Sequence, residues 1–361
     1  MGENILARNI SNILARQFAR NRSLRSFEPR VNDALAAAGI RIGFTRDLRL
    51  NLKDQANAKY AVAAEKYRAL FSSDPRIVRR EIVNWNLADK EDLWSPYYLP
   101  DSQTQIHCII LYRGNSAPLA PNLVHSDTMN YFAAANSPLY RFMQRRDFES
   151  VSAHLAYSVE TIMVHPLNNH ICIPGGPVLP RQEVLKRVLA CLLALKANLD
   201  GVGYQGQMLI ENKDYTVHEI AGQRVSTSEH VTRPDFMAEV LERTGFGLII
   251  DIAHLLITAK NDHYSDYPAY VGKMLGGRAD RLREVHIAVP QQVGTTLSDA
   301  HWSLFGHLGY PETDKTLNII KYLMLNKPAA QPIYLNLETP AETAHLDTIA
   351  LVLFLREIMG F

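Results

Sequence analysis

Acids and imidazoles recur along this chain at the ends of apolar runs. Glu211 closes QMLIE, Asp251 closes GLIID with His254 three residues on, His286 follows REV, Asp299 and His301 come next, and Glu338 closes IYLNLE. His125 follows NLV, and His154 ends VSAH. Taken one at a time, such residues more often cap a helix or complete a hydrogen bond. Together they pose an electrostatic problem. A carboxylate at the end of a buried strand costs several kcal/mol unless a positive charge or a set of donors answers it. Few Lys or Arg accompany Glu211, Asp251 and Glu338 at those positions, so metal ions are the natural source of the missing charge.

Asp299 and His301 stand two apart, which on extended backbone turns both side chains to one face. The nine candidates offer nitrogen and oxygen only. That donor set suits iron, zinc or manganese and not copper(I) or a thiolate zinc site. Nine donors exceed the coordination sphere of one ion; with bridging carboxylates they suit two or three, an arrangement that activates oxygen species or clamps a phosphate.

Bringing these residues to one rim requires parallel strands. Strand-like runs at 39–44, 106–112, 122–125, 150–155, 207–211, 246–251, 283–289 and 332–338 alternate with helical patterns at 55–72, 181–197, 234–244, 266–274, 314–325 and 344–359. Such alternation means a parallel α/β sheet. A doubly wound sheet gathers its ligands at one switch point. Candidates after many successive strands point instead to a closed (β/α)8 TIM barrel, whose active sites lie at the C-terminal strand ends. The segments 113–122 and 156–180 are long for barrel loops and are expected to shape access to the site.

Composition sets bounds. Of 361 residues, 47% are hydrophobic and 21% charged, which describes an ordinary globular protein. A formal net charge of +1 offers no overall attraction to nucleic acid or to a membrane surface. Three cysteines, Cys108, Cys172 and Cys191, show no CxxC spacing, and a reducing cytoplasm is the expected location. No apolar run has the length of a membrane span. The division expected is a basic amphipathic N-terminal helical extension over 1–38, rich in Arg, followed by one catalytic barrel over 39–361. The extension reads as a helix packed on the barrel or on a partner, with an organellar transit peptide as the lesser alternative. Gly201 to Gly206 matches GxGxxG but follows a helix and precedes a strand, the reverse of a dinucleotide site.

Several of these segments resemble a known family. LIEN (209–212), PDFMAEVLERTGFGLIIDIAHLLITAKND (234–262), REVHIAV (283–289), SDAHW (298–302) and LNLET (335–339) are similar to the multinuclear non-heme iron-dependent oxidases, as are LVHSD (123–127), SAHLAYS (152–158) and PVLPRQEVLKRVL (177–189). The resemblance spans about 40–358. It implies a xylose-isomerase-like barrel holding two or three irons of mixed Fe(II)/Fe(III) state. It also implies an O2-using oxidoreductase that modifies Cys or a carboxylate-bearing residue of a ribosomally made peptide, presented by a small partner protein. Carried over by position, His125, His154, Glu211, Asp251, His254, His286, Asp299, His301 and Glu338 would be metal ligands, with Glu211, Asp251 and His286 catalytic. Asn212, Tyr157, Trp302 and His165 would then face the substrate.

The family more often has Asn at the position of His254, and HIAVP (286–290) lacks its usual second His. Asp-x-x-His, Asp-x-His and a late Glu-Thr also resemble the endonuclease-IV-type abasic-site nucleases, which use three zinc ions. In that register VHP (164–166) supplies the second ligand, His165 in place of His154. The alternatives to an iron oxidase are therefore a zinc- or manganese-dependent phosphodiesterase or a sugar isomerase on the same barrel. A non-catalytic scaffold is a third. The near-neutral charge weighs against a nucleic-acid substrate.

Overall fold

The structure, a computed structural model, describes residues 29–45, 81–84, 104–107, 122–144, 148–155, 157–165, 168–220, 223–294, 296–329, 331–340 and 343–360. The helix expected at 55–72, residues 1–28 of the N-terminal extension, residues 108–112 of the strand expected at 106–112 and residues 113–121 of the loop expected at 113–122 lie outside the described residues. A helix, α1 (Pro29–Ala37), leads into the first strand, β1 (Ile40–Thr45). Gly39 makes the turn between them at φ 67°, where a Cβ would stand 3.1 Å from the Gln331 carbonyl oxygen. Only glycine meets both demands without strain.

Seven more parallel strands follow: β2 (Glu81–Asn84), β3 (Thr104–His107), β4 (Ser150–His154), β5 (Gln207–Glu211), β6 (Gly247–Asp251), β7 (Leu282–Ile287) and β8 (Ile333–Leu337). Each pairs with the next in chain order, and β8 pairs back onto β1, closing an eight-stranded barrel. Alternation along the strands sorts their side chains. Ile210, Leu248, Ile250, Val285, Ile287, Leu335 and Leu337 join the apolar layer under the helices. The residues between them face the barrel interior, polar at the C-terminal ends. At the opposite end, Arg41 donates to the Tyr334 hydroxyl at 2.8 Å, and that hydroxyl donates to Glu149.

The outer helices are α2 (Ser126–Ala133), α3 (Pro138–Met143), α4 (Arg181–Gly201), α5 (Pro234–Thr244), α6 (Ile252–Asn261), α7 (Tyr267–Leu275), α8 (Pro311–Asn326) and α9 (Ala344–Met359). In α4, the helix expected at 181–197, Val184, Leu185, Val188, Leu189, Leu192 and Leu195 are all buried. Pro234 opens α5, and Gly245 stops it in the left-handed region at φ 73°. Among the described residues, no helix is long and apolar enough to cross a membrane.

Three expectations change. Residues 122–125 are not a strand. Asn122 spends its side-chain amide on the Val159 and Glu160 carbonyls, each at 2.8 Å, and its own carbonyl on the His125 amide, which makes a turn into α2. The 156–180 segment is no plain loop: it carries an antiparallel hairpin of Ile162–His165 with Asn168–Pro174. The run 283–289 is broken, because β7 ends at Ile287 and a second hairpin, Val289–Val293 with Thr296–Trp302, starts at once. A third hairpin, Val217–Ile220 with Gln223–Ser226, follows β5.

Candidate metal centre

Register places the candidate ligands side by side. His154 on β4 pairs with Glu211 on β5, and Asp251 on β6 pairs with His286 on β7. Glu338 follows β8, and its backbone amide donates to the Ile287 carbonyl at 3.0 Å. Four strand ends and the residue after a fifth therefore meet at one rim. Glu211, Asp251 and His286 are fully buried there.

Glu211 is the hub. Its Oε1 lies 3.0 Å from His154 Nε2, 3.5 Å from His286 Nδ1 and 3.6 Å from His254 Nδ1. Two triads of donor atoms close enough to share an ion both contain it: His154–Glu211–His254 and Glu211–Asp251–His286. His286 Nδ1 also lies 3.3 Å from Glu338 Oε1. His254 comes from the first turn of α6, where Asp251 Oδ1 caps the helix by accepting from the His254 amide at 2.7 Å. Its Nδ1–H donates to the Asn212 carbonyl at 2.9 Å and its Nε2–H to Asp299 Oδ2 at 3.1 Å.

Asp299 and His301 arrive from the second strand of the 289–302 hairpin, which packs on α6. His301 Nε2 stands 3.3 Å from Asp299, and its Nδ1–H donates to the Glu338 carbonyl at 3.0 Å. Reaching both costs the backbone: His301 has φ 49°, a left-handed conformation that non-glycine residues seldom adopt.

Proton affinities record the crowding of charge. Burial alone would lower the pKa of His254, but Asp251 and Asp299 raise it to about 9. Asp299 raises His301 to about 10, against the effect of burial. For His286, Glu338 and Glu211 overcome burial and hold it well above its ordinary value. Asp251 rises to about 6, through burial first and then the neighbouring Glu211, Asp299 and Glu338, with His254 opposing. Asp299 sits well below its ordinary value because His301 and His254 outweigh its burial.

Protons on imidazoles thus neutralise the carboxylates of the bare protein. The same donors fit metal ions. They are nitrogen and oxygen throughout, and Asp251 Oδ2 is buried with no hydrogen-bond donor of its own.

The remaining predicted residues lie differently. His125 does not enter the contacts that join the other eight; its Nδ1 accepts from the Asp127 amide at 3.1 Å as the N-cap of α2. His165 has its backbone in the 162–174 hairpin, but its side chain lies outside the described residues. Asn212 is buried, with its carboxamide spent on the Asp251 backbone. Tyr157 packs against Val159 and Ile162. Trp302 stacks on His307 at 4.1 Å between ring centres.

Three participants escaped the sequence reading. Glu284 accepts from His286 Nε2–H at 2.8 Å, and Asn336 donates to the same carboxylate. Both stand two residues before a ligand, a spacing that on a strand predicts the same facing. Lys213, two residues past Glu211, forms an ion pair with Asp214; that contact keeps Lys213 protonated despite its burial.

Residues 128–306 match the family model described as RiPP precursor modification enzyme MbnB/TglH/ChrH. A UPF0276 protein of Rhizorhabdus wittichii is 29% identical over 151 residues, 42% of this chain; the match spans about half of that relative, 46% of its length. Among solved structures, mannonate dehydratase from Streptococcus suis superposes with a TM-score of 0.52 at 12% identity, over 89% of this chain and 94% of that one. The 3-keto-D-glucoside 4-epimerase of E. coli gives 0.50 at 12% identity, over 87% and 98%. A family 2 AP endonuclease from Brucella melitensis gives 0.44 at 12% identity, over 84% and 95%. The first two superpositions show the TIM barrel fold.

Proposed function

We propose, from the match of residues 128–306 to the RiPP precursor modification family, that this chain is a multinuclear non-heme iron oxidase that modifies a residue of a ribosomally made peptide. The observation that carries the reading is the convergence on Glu211. His154, His254 and His286 all approach its Oε1 within 3.6 Å, and Asp251, Asp299 and Glu338 complete an all-nitrogen-and-oxygen shell. Glu211, His154, Asp251, His254, His286, Asp299, His301 and Glu338 would hold the ions, with His125, the N-cap of α2, as a ninth candidate ligand.

When bound, the irons would supply O2 activation, with O2 as the oxidant that takes up the electrons the substrate loses. The chain's own residues do the rest. Glu284 and the backbone carbonyls at 212 and 338 fix ring orientations by hydrogen bonds, and the Asn212 carboxamide fixes the Asp251 backbone. Burial of the inner carboxylates excludes bulk water from their side of the centre. His301 and Asp299, on the hairpin, form its more exposed side, where a peptide can approach. Tyr157 and Trp302 belong to that approach in this reading. A small partner protein would present the peptide, and the cytoplasm would supply it.

Anaerobic purification followed by iron analysis and Mössbauer spectroscopy tests the assignment, with O2 consumption measured in the presence of a candidate precursor peptide. Iron bound at the Glu211 cluster and peptide-dependent O2 uptake are expected. A preparation that holds only zinc, or one active without O2, would overturn it in favour of a zinc- or manganese-dependent hydrolase or isomerase.

A further inference from the structure

Glu284 and Asn336 form a polar layer directly beneath the proposed ligands. Glu284 precedes His286 by two residues on β7, and Asn336 precedes Glu338 by two at the end of β8; both are fully buried. A histidine ring has two distinct nitrogens, and fixing the proton on one leaves the lone pair on the other. In His286 the Nε2–H is committed to Glu284 Oε1 at 2.8 Å. The nitrogen left to face the centre is Nδ1, 3.3 Å from Glu338 Oε1 and 3.5 Å from Glu211 Oε1.

His254 and His301 are wired the other way round. Each donates Nδ1–H to a backbone carbonyl, of Asn212 and of Glu338, and each turns Nε2 toward Asp299. The acceptors differ in kind as well as in place. A carbonyl is neutral, whereas a carboxylate makes the imidazole it holds a stronger donor to metal. Asn336 donates to the oxygen that receives the His286 proton, which locks the carboxylate plane.

We propose that Glu284 is a positioning residue of the centre. It selects the His286 tautomer that ligates through Nδ1, opposite to His254 and His301. This inference rests on the metal-centre reading above. A merely space-filling role does not account for a charged group at this depth, since an apolar side chain of the same size would fill the position without the desolvation penalty.

The test is Co(II) and Zn(II) titration of the metal-stripped full chain against a competing chromophoric chelator, for wild type, Glu284→Gln and Glu284→Leu. Thermal melting of each metal-free protein serves as the folding control. Wild type is expected to bind both metals. Glu284→Gln is expected to melt like wild type yet bind on the order of 10- to 100-fold more weakly, with an altered Co(II) visible spectrum, and Glu284→Leu more weakly still. Long-range nitrogen NMR of Zn(II)-loaded wild type labelled at histidine needs no variant to fold. It should show His286 protonated at Nε2 and coordinated at Nδ1. Unchanged affinity in folded Glu284→Gln, or coordination through Nε2, overturns the role of Glu284 alone. Wild type that binds neither metal removes the metal-centre reading and this inference together.

Discussion

Asn212 and Asp251 exchange a reciprocal pair of hydrogen bonds. The Asp251 amide donates to Asn212 Oδ1 at 2.7 Å, and Asn212 Nδ2 donates to the Asp251 carbonyl at 3.1 Å. A side-chain carboxamide thereby imitates a peptide group and extends the β5–β6 ladder past the end of β5. Asn212→Ala orphans a buried amide and a buried carbonyl at once. The expected loss is about 2–3 kcal/mol in urea unfolding of the metal-free protein. Asn212→Asp keeps an acceptor but loses the donor and adds a negative charge beside Asp251, so it should be no milder. A loss under about 0.5 kcal/mol in both variants would show that the pair contributes nothing beyond its surface equivalents.

The proton affinities predict how the bare and loaded proteins diverge with pH. His254, raised from 6.5 to about 9, stabilises the fold fully below 6.5 and loses that contribution as pH climbs through 9. His301, raised to about 10, acts in the same direction over a still higher range. Asp251, raised from 3.8 to about 6, adds a loss between those two values. The metal-free protein should therefore melt at progressively lower temperature from pH 6 to pH 10. Metal ions replace the imidazole protons, so uptake at neutral pH should release protons and tighten as pH rises. Calorimetry in buffers of different ionisation enthalpy reads that release directly; zero net proton release would contradict it.

Glu211→Gln keeps the shape of the hub and removes its charge. Because His154, His254 and His286 all face the same oxygen, the variant should lose metal affinity by on the order of 100-fold or more while its far-ultraviolet circular dichroism stays that of wild type. Elemental analysis after anaerobic reconstitution gives the answer. Full metal content would place the ions elsewhere.

Asp347, buried in α9, ties down the chain just after the ligand hairpin. Its Oδ1 accepts from Ser303 Oγ at 2.7 Å and from the Phe305 amide at 2.6 Å. Burial raises its pKa, and these donors oppose the rise. Asp347→Ala should cost about 2–4 kcal/mol by leaving both donors unanswered, and Asp347→Asn less, read as thermal or urea unfolding. If the loop matters to the centre, metal affinity falls in parallel; stability lost with affinity intact would confine Asp347 to a structural role.

Periodicity made the barrel legible where strands are long and apolar on the outer face. QMLIE, GLIID and IYLNL occupy β5, β6 and β8 within a residue of their expected limits, and the helix expected at 234–244 has those bounds. NLVH failed because two apolar residues, Leu123 and Val124, carry no period, and Asn122 could direct the segment into a turn. The 289–302 hairpin failed for another reason: Ala288 and Val289 continue the apolar run of β7, so sequence pattern alone does not mark where the barrel wall ends. Within the site, residues that end apolar runs stood out, whereas Glu284 and Asn336 did not. They lie inside those runs, where a polar residue reads as an exception to the core and not as the floor of a pocket.

Two of the ligand candidates, Asp299 and His301, ride on an appended hairpin, while Glu211, Asp251 and His286 belong to the barrel staves. The centre is thus assembled from two inheritances. The stave half is tied to the closure of the barrel and can change little without unfolding it. The hairpin half can lengthen, shift or exchange residues as loops do, which lets evolution retune one flank of the metals, and with it the choice of reaction, on an unaltered foundation.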